Sequence, residues 1–297
     1  MKSGFIALIG KPNVGKSSLM NRMIGEEISI VSPKPQTTRD SIRGILTTEE
    51  YQMIFVDTPG VHTAKTELGK YMGRETDSAA KGVDVLVIVL DGTKGFSDED
   101  YEFIKGKLKL RLPTYVVINK TDKAGYDRIY PMLTKLSPLV SGSDGAIKEI
   151  IPTSCADGTN IDKLKEFLAA ELTDENIYFP VDELTDRPVR FIVGEQIRKK
   201  ALLYLQDEIP HGVGIAINIF EEKNNSVYIE ADIICEKDGH KLILIGEGGQ
   251  MIKRIGAGAR KSIEDRLGKS VFLKLFVKVR DDWRNKKNYL RELGYES

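Results

Sequence analysis

The octapeptide GKPNVGKS at residues 10–17 places two glycines, a lysine and a serine at the spacing that polyphosphate chemistry requires. It follows an apolar run, FIALIG, and opens an amphipathic stretch ended by Gly25, so it reads as the turn between a strand and a helix. In that setting the backbone at Gly10 and Gly15 can curl until successive N–H groups, those of Asn13, Val14, Gly15, Lys16, Ser17 and Ser18, converge on one anion. The start of the helix adds its partial positive charge. Lys16 is then placed to bridge two phosphates, and the Ser17 hydroxyl to take a magnesium ion. Asp57 closes the apolar run YQMIFVD and is followed by Pro59-Gly60. Its carboxylate suits the same ion through water, and the bend presents the Gly60 N–H to a terminal phosphate.

Two further strand ends choose the base. In NKTD (119–122) the Asp122 carboxylate can accept from N1–H and the exocyclic amine of guanine. Adenine has neither donor on that edge, and leaving a carboxylate unpaired costs of order 1–3 kcal/mol. Asn119 can bond N7 of the base or tie its loop to the phosphate loop, and the Lys120 stem can cover the ring. In TSCA (153–156), Ser154, Cys155 and Ala156 bring backbone N–H groups within reach of guanine O6. GTP and GDP are thus the expected ligands, with Mg²⁺. Taken together, residues 1–171 resemble a GTP-binding domain of the translation-factor class. That resemblance makes PQTTRD (35–40) the first switch and gives Thr38 a second hydroxyl on Mg²⁺, with Thr37 the next claimant.

Residue 61 is valine, which can neither donate to nor accept from an attacking water. A glutamine-based hydrolysis is excluded there, and His62 is a weaker substitute. Phosphoryl transfer depends on placement and charge neutralisation, so a cation can do the work instead. In similar GTPases an asparagine at the place of Asn13 helps bind K⁺ beside the phosphates. The catalytic set expected here is Lys16, Asn13, Thr38 and Gly60.

The elements that must position these groups can be read from period. Runs at 5–10, 51–57, 84–91, 115–120 and 147–154 are short, apolar and rich in Val and Ile, as buried parallel strands are. SIRGILTTEE (41–50) is more polar and reads as an edge or antiparallel strand. Helical spacing covers residues 16–24, Leu68 to Ala79, 97–110 with Ser97 as cap, and a last helix capped by Asn160. The expectation is an α/β P-loop GTPase fold, a mostly parallel six-stranded sheet with helices on both faces, over residues 1–172. An acidic linker at 173–188 follows. Residues 189–297 then form a small α+β domain with an antiparallel sheet: helix 190–206, strands 214–222 and 226–236, helix 250–268, strand 270–279 and a final helix 283–293.

Formal net charge is zero, but Lys241–Arg291 holds 14 Lys and Arg against 5 Asp and Glu, which points to an anionic partner. Inside it, ILIGEGGQMIKRIG contains G-x-x-G at Gly246, Glu247, Gly248 and Gly249. Glycines there let a nucleic-acid backbone approach while Ile245 and Ile252 receive bases. Lys253, Arg254, Arg260 and Lys261 are the candidate phosphate contacts. The order of elements resembles a KH domain in its type II, helix-first form, with Glu247 standing where a basic residue would be more usual.

A P-loop GTPase followed by a KH domain resembles the Era GTPases along nearly the whole chain, the ending DDWRNKKNYLRELGY included. The resemblance implies binding of the 3′ end of 16S ribosomal RNA, action in assembly of the 30S particle, and peripheral contact with the cytoplasmic membrane. No DNA is expected. The alternative is a regulatory GTPase adaptor whose basic domain docks on a protein or membrane. Cys155 and Cys235 have no metal-type spacing, no leader pattern or apolar run of membrane-spanning length appears, and a cytoplasmic location is expected.

Overall fold

The computed structural model describes residues 1–60 and 66–295, so Val61 and His62 lie outside the described residues. The chain divides into two compact units. Of the described residues, one comprises 1–29, 38–60 and 72–186; the other comprises 187–295 with 30–37 and 66–71.

The first unit is a six-stranded sheet of order β2-β3-β1-β4-β5-β6, built from β1 (Lys2–Ile9), β2 (Ile42–Thr47), β3 (Tyr51–Asp57), β4 (Val85–Asp91), β5 (Thr114–Asn119) and β6 (Ile147–Pro152). All neighbours are parallel except β2, which runs antiparallel to β3 at the edge. On one face Ala7, Ile9, Leu86, Ile88, Val116 and Ile118 form a core with α3 (Asp98–Leu108) and α4 (Tyr126–Ser141). The intervening residues Ile6, Leu8, Val87, Val89 and Val117 are equally buried, so the sheet is covered on both faces. That double burial is why these strands read as unbroken apolar runs. The remaining helices are α1 (Lys16–Ile24), α2 (Glu67–Ala79) and α5 (Ile161–Ala170).

Ser97 caps α3 as expected, in a capping box with Asp100. Asn160 stands at the start of α5 but does not cap it: its backbone is left-handed, and its side-chain amide donates to the Pro152 carbonyl at 2.7 Å. The acidic stretch expected as a linker is fastened to this unit as far as Asp186. Ser3 N–H donates to Asp174 O, Ser3 Oγ to Asn176 O, and Ile45 N–H to Leu184 O at 2.9 Å. The buried Gln52 amide makes four bonds, to Thr47, to both N–H groups of Tyr178 and Phe179, and to the Phe179 carbonyl. The strap thereby covers the free edge of β2.

The second unit contains α6 (Val189–Tyr204), β7 (Gly214–Glu222), β8 (Ser226–Cys235), α7 (Asp238–Ile245), α8 (Gln250–Leu267), β9 (Ser270–Val279) and α9 (Lys287–Glu292). Its core joins Val193, Ile197 and Ala201 of α6 and Ile255, Ala259 and Ile263 of α8 with Val227, Ile229, Ala231 and Ile233 of β8. The sheet is mixed, which corrects the expectation of an antiparallel one: β7 and β8 are antiparallel, but β8 and β9 are parallel. The reason is the connection, since two intervening helices form a crossover that returns the chain in the same direction. The ending is also broken up: a 3₁₀ turn, Trp283–Asn285, precedes α9. Among the described residues no helix is long and apolar enough to cross a membrane.

Candidate nucleotide site and nucleic-acid interface

The phosphate loop follows β1 and feeds α1, at the carboxyl ends of the parallel strands where ligands sit in such sheets. Asn13 and Gly15 both have left-handed backbone, φ 63° and 102°. A Cβ on Gly15 would stand 2.1 Å from the Asn119 amide nitrogen, so only glycine lets β5's end close over the loop. Lys16 is buried and its Nζ folds back onto the Gly10 and Lys11 carbonyls, 3.1 Å each. Burial pushes its pKa down to about 8, against the partial support of the Asp57 charge. Burial likewise raises Asp57, opposed by Lys16 and by the hydroxyls around it.

Three oxygens gather at the foot of the loop. Ser17 Oγ donates to Asp57 Oδ2 at 2.6 Å and lies 2.9 Å from Thr38 Oγ1. Of the two threonines it is Thr38 that stands beside Ser17; the Thr37 hydroxyl is spent on the Lys34 carbonyl and Ser32. Asp57 Oδ1 is fully covered and has no hydrogen-bond partner. A buried anionic oxygen without a partner, beside two hydroxyls, fits a hard cation with water ligands. Gly60 packs so closely on Pro12 that a Cβ there would be 2.6 Å from its Cα.

At the base end, Asn119 makes the second of its two possible contacts. Its Nδ2 donates to the Val14 carbonyl at 3.0 Å, and its Oδ1 accepts from Cys155 N–H at 3.4 Å. Asp122 is exposed and receives Ser154 Oγ at 3.0 Å. Burial pushes the Cys155 thiol up to about 11, so it serves here as a neutral residue. Ala156 is exposed beside it, and Ser18 lies in the first turn of α1. The sequence reading missed Asp91. It ends β4, is buried, and holds Lys120 Nζ at 2.7 Å while the same ammonium donates to the Asn13 carbonyl. A carboxylate closing an apolar strand was its only signal. Arg198 was missed too: it is buried on α6, chelated by Glu195, and within the second unit its Nη2 donates to the Thr37 carbonyl.

In the second unit Gly246, Gly248 and Gly249 all have positive φ, at 71°, 57° and 79°, and wrap a single turn between α7 and α8. A Cβ on Gly246 would sit 2.8 Å from the Met251 nitrogen. Glu247 is exposed, Ile245 and Ile252 are half-buried, and Leu242 and Ile243 on α7 are 72% and 50% exposed. The cations are not all gathered at this loop. Lys253 is exposed within the first turn of α8 and Arg254 stacks at 4.4 Å on Tyr204. Arg260 and Lys261 lie about 10 Å further along the axis.

A P-loop with guanine-selecting strand ends and a separate α/β unit bearing a G-x-x-G turn define a GTPase joined to a KH domain. Residues 5–120 match the family described as 50S ribosome-binding GTPase, and residues 208–284 match the KH domain. The chain is 43% identical to GTPase Era of Clostridium botulinum (strain Eklund 17B / Type B), over 99% of each, and 44% identical to GTPase Era of Clostridium acetobutylicum, over 100% of this chain and 98% of the relative. Two crystal structures align over 100% of both chains with TM-score 0.94 and 36% identity: an Era variant of Aquifex aeolicus bound to GDP and AlF4⁻, and Era with MgGDPNP and nucleotides 1506–1542 of 16S ribosomal RNA. The chain belongs to the GTPase Era family.

Proposed function

We propose that this GTPase binds GTP with Mg²⁺ at residues 10–18, hydrolyses it slowly without a catalytic glutamine, and uses its KH domain to hold the 3′ end of 16S ribosomal RNA during assembly of the small subunit. The observation that carries the nucleotide reading is the cluster of Ser17, Thr38 and Asp57, within 2.9 Å of one another through Ser17 Oγ. Ser17, Thr38 and Asp57 would hold the magnesium ion, which neutralises charge on the phosphate oxygens when bound. Lys16 leaves the Gly10 and Lys11 carbonyls for the substrate's phosphates, and the N–H groups of Asn13 through Ser18 close around them. Gly60 N–H meets the terminal phosphate, and Asp122 with the TSCA backbone reads the base. Asn13 and the backbone of the first switch would hold a potassium ion, which supplies the charge an arginine finger supplies elsewhere.

The RNA reading rests on the G-x-x-G turn together with the RNA-bound relative. We place the work in the cytoplasm, with membrane contact peripheral. Turnover measured in potassium and in sodium at equal ionic strength tests the cation: potassium is expected to accelerate hydrolysis, and Asn13→Ala to remove the difference. Equal rates in both salts rule it out. Replacing Gly246 and Gly249 by aspartate is expected to abolish RNA binding with GTP affinity unchanged. If RNA affinity survives that change, the basic domain serves a different partner.

A further inference from the structure

We propose that the outer face of the β7–β8–β9 sheet is a second RNA surface, which stacks unpaired nucleotides of the same strand beyond those held at the G-x-x-G turn. The inference rests on the RNA reading above. Strand parity sets the face. Val227, Ile229, Ala231 and Ile233 of β8 enter the core, as do Val271, Leu273, Leu275 and Val277 of β9, so Tyr228, Glu230, Asp232, Phe272, Lys274, Phe276 and Lys278 point away from it. A solvent face of a sheet is ordinarily polar. Here Phe272 and Phe276 are 58% and 47% exposed on a single edge strand. The rings of Tyr228 and Phe272, paired in register across β8 and β9, are stacked with 5.5 Å between centroids and 9° between planes. Lys274 lies over both, at 5.3 and 5.9 Å. An exposed aromatic stack under an ammonium group is the platform on which bases of any sequence can add a layer, while lysine meets the phosphate. The core formed with α6 and α8 lies on the other face.

Two further observations favour nucleic acid as the occupant. A G-x-x-G loop clamps about four nucleotides, whereas the relative was crystallised with nucleotides 1506–1542, a stretch many times longer. Strand β9 touches both α7 and α8, the helices that flank the loop, so face and loop share an element. Lys274 and Lys278 are at present paired with Glu230 at 3.3 Å and Asp232 at 2.7 Å and are about half exposed, free to exchange a carboxylate for a phosphate. Asp232 itself is buried, and its Oδ1 has no hydrogen-bond partner.

The test uses the full chain and two probes: RNA spanning nucleotides 1506–1542 of 16S ribosomal RNA, and the shortest nested fragment that the wild type retains. Phe272→Ser is expected to weaken the long RNA about tenfold and the short fragment less than twofold, with Phe272→Tyr restoring the long-RNA affinity. Thermal melting followed by Trp283 fluorescence guards against unfolding. Equal losses on both probes, or none on either, overturn the proposal. Self-association of the wild type that Phe272→Ser abolishes would assign the face to a second copy instead. Failure of the wild type to bind either RNA, with GTP binding intact, fails the RNA reading and this inference with it; a loss confined to Gly246→Asp with Phe272→Ser unaffected fails only the inference.

Discussion

Lys16 carries a titration that the phosphate loop turns into a binding signal. Without nucleotide its ammonium is desolvated and its pKa is about 8. Phosphates bind the protonated form and raise that value, so affinity is flat below pH 8 and falls about tenfold per unit above it, until the pKa of the complex is reached. Between pH 8 and 9, GTP binding must take up a proton. Calorimetry in buffers of different ionisation enthalpy measures this directly, and a heat independent of the buffer would refute it. Asp122 makes a sharper case for selectivity. Its carboxylate is free on the exposed side of the Ser154 hydrogen bond, and Asp122→Asn replaces an acceptor pair with a half-donor. Two charge-assisted bonds are then lost, so GTP affinity is expected to drop at least about 100-fold and xanthosine triphosphate to gain. Competition between the two nucleotides checks it. An unchanged preference would remove Asp122 from the base site.

At the scale of elements, the middle of the strap from Asp174 to Asp186 is held by one buried amide. Gln52→Leu keeps the volume but leaves the N–H groups of Tyr178 and Phe179 and the Phe179 carbonyl without partners. A loss of about 2–4 kcal/mol is expected in urea unfolding, with faster proteolysis inside the strap. A change below about 0.5 kcal/mol would mean that the strap is not held by Gln52. This segment also shows where sequence reasoning stopped. Strands β1, β3, β4 and β5 were legible because burial on both faces forces apolar runs, and α1 and α3 because their glycine stop and capping box are local. The strap has no period, since its order comes from hydrogen bonds to distant backbone and to the Gln52 and Ser3 side chains. Helix α4 was hidden by Pro131 and Pro138 inside it. The direction of β9 and the true role of Asn160 depend on neighbours that no local window contains. The site shows the same division. P-loop, DTPG, NKTD and TSCA are contiguous words, whereas Asp91 and Arg198 act through partners 29 and 161 residues away.

In the molecule as a whole, one core among the described residues is built on α3, α4 and one face of the parallel sheet, and another on α6, α8 and the mixed sheet. On the proposed function GTP belongs to the first unit and RNA to the second. The chain has one tryptophan, Trp283, fully buried in the second unit with its indole N–H donating to the Gly212 carbonyl at 2.9 Å. Its fluorescence therefore reports unfolding of the second unit, while circular dichroism reports both. A ligand that binds only the folded state at 100 times its dissociation constant stabilises by about 2.7 kcal/mol, which for a unit of this size is a shift of roughly 5–10 °C. MgGDPNP is expected to move a circular-dichroism transition by that amount and leave the Trp283 transition within about 1 °C. RNA is expected to do the reverse. If the nucleotide carries the Trp283 transition upward by the full shift, the two cores unfold as one cooperative body, and the energy of nucleotide binding is already shared with the RNA-binding unit in the ground state.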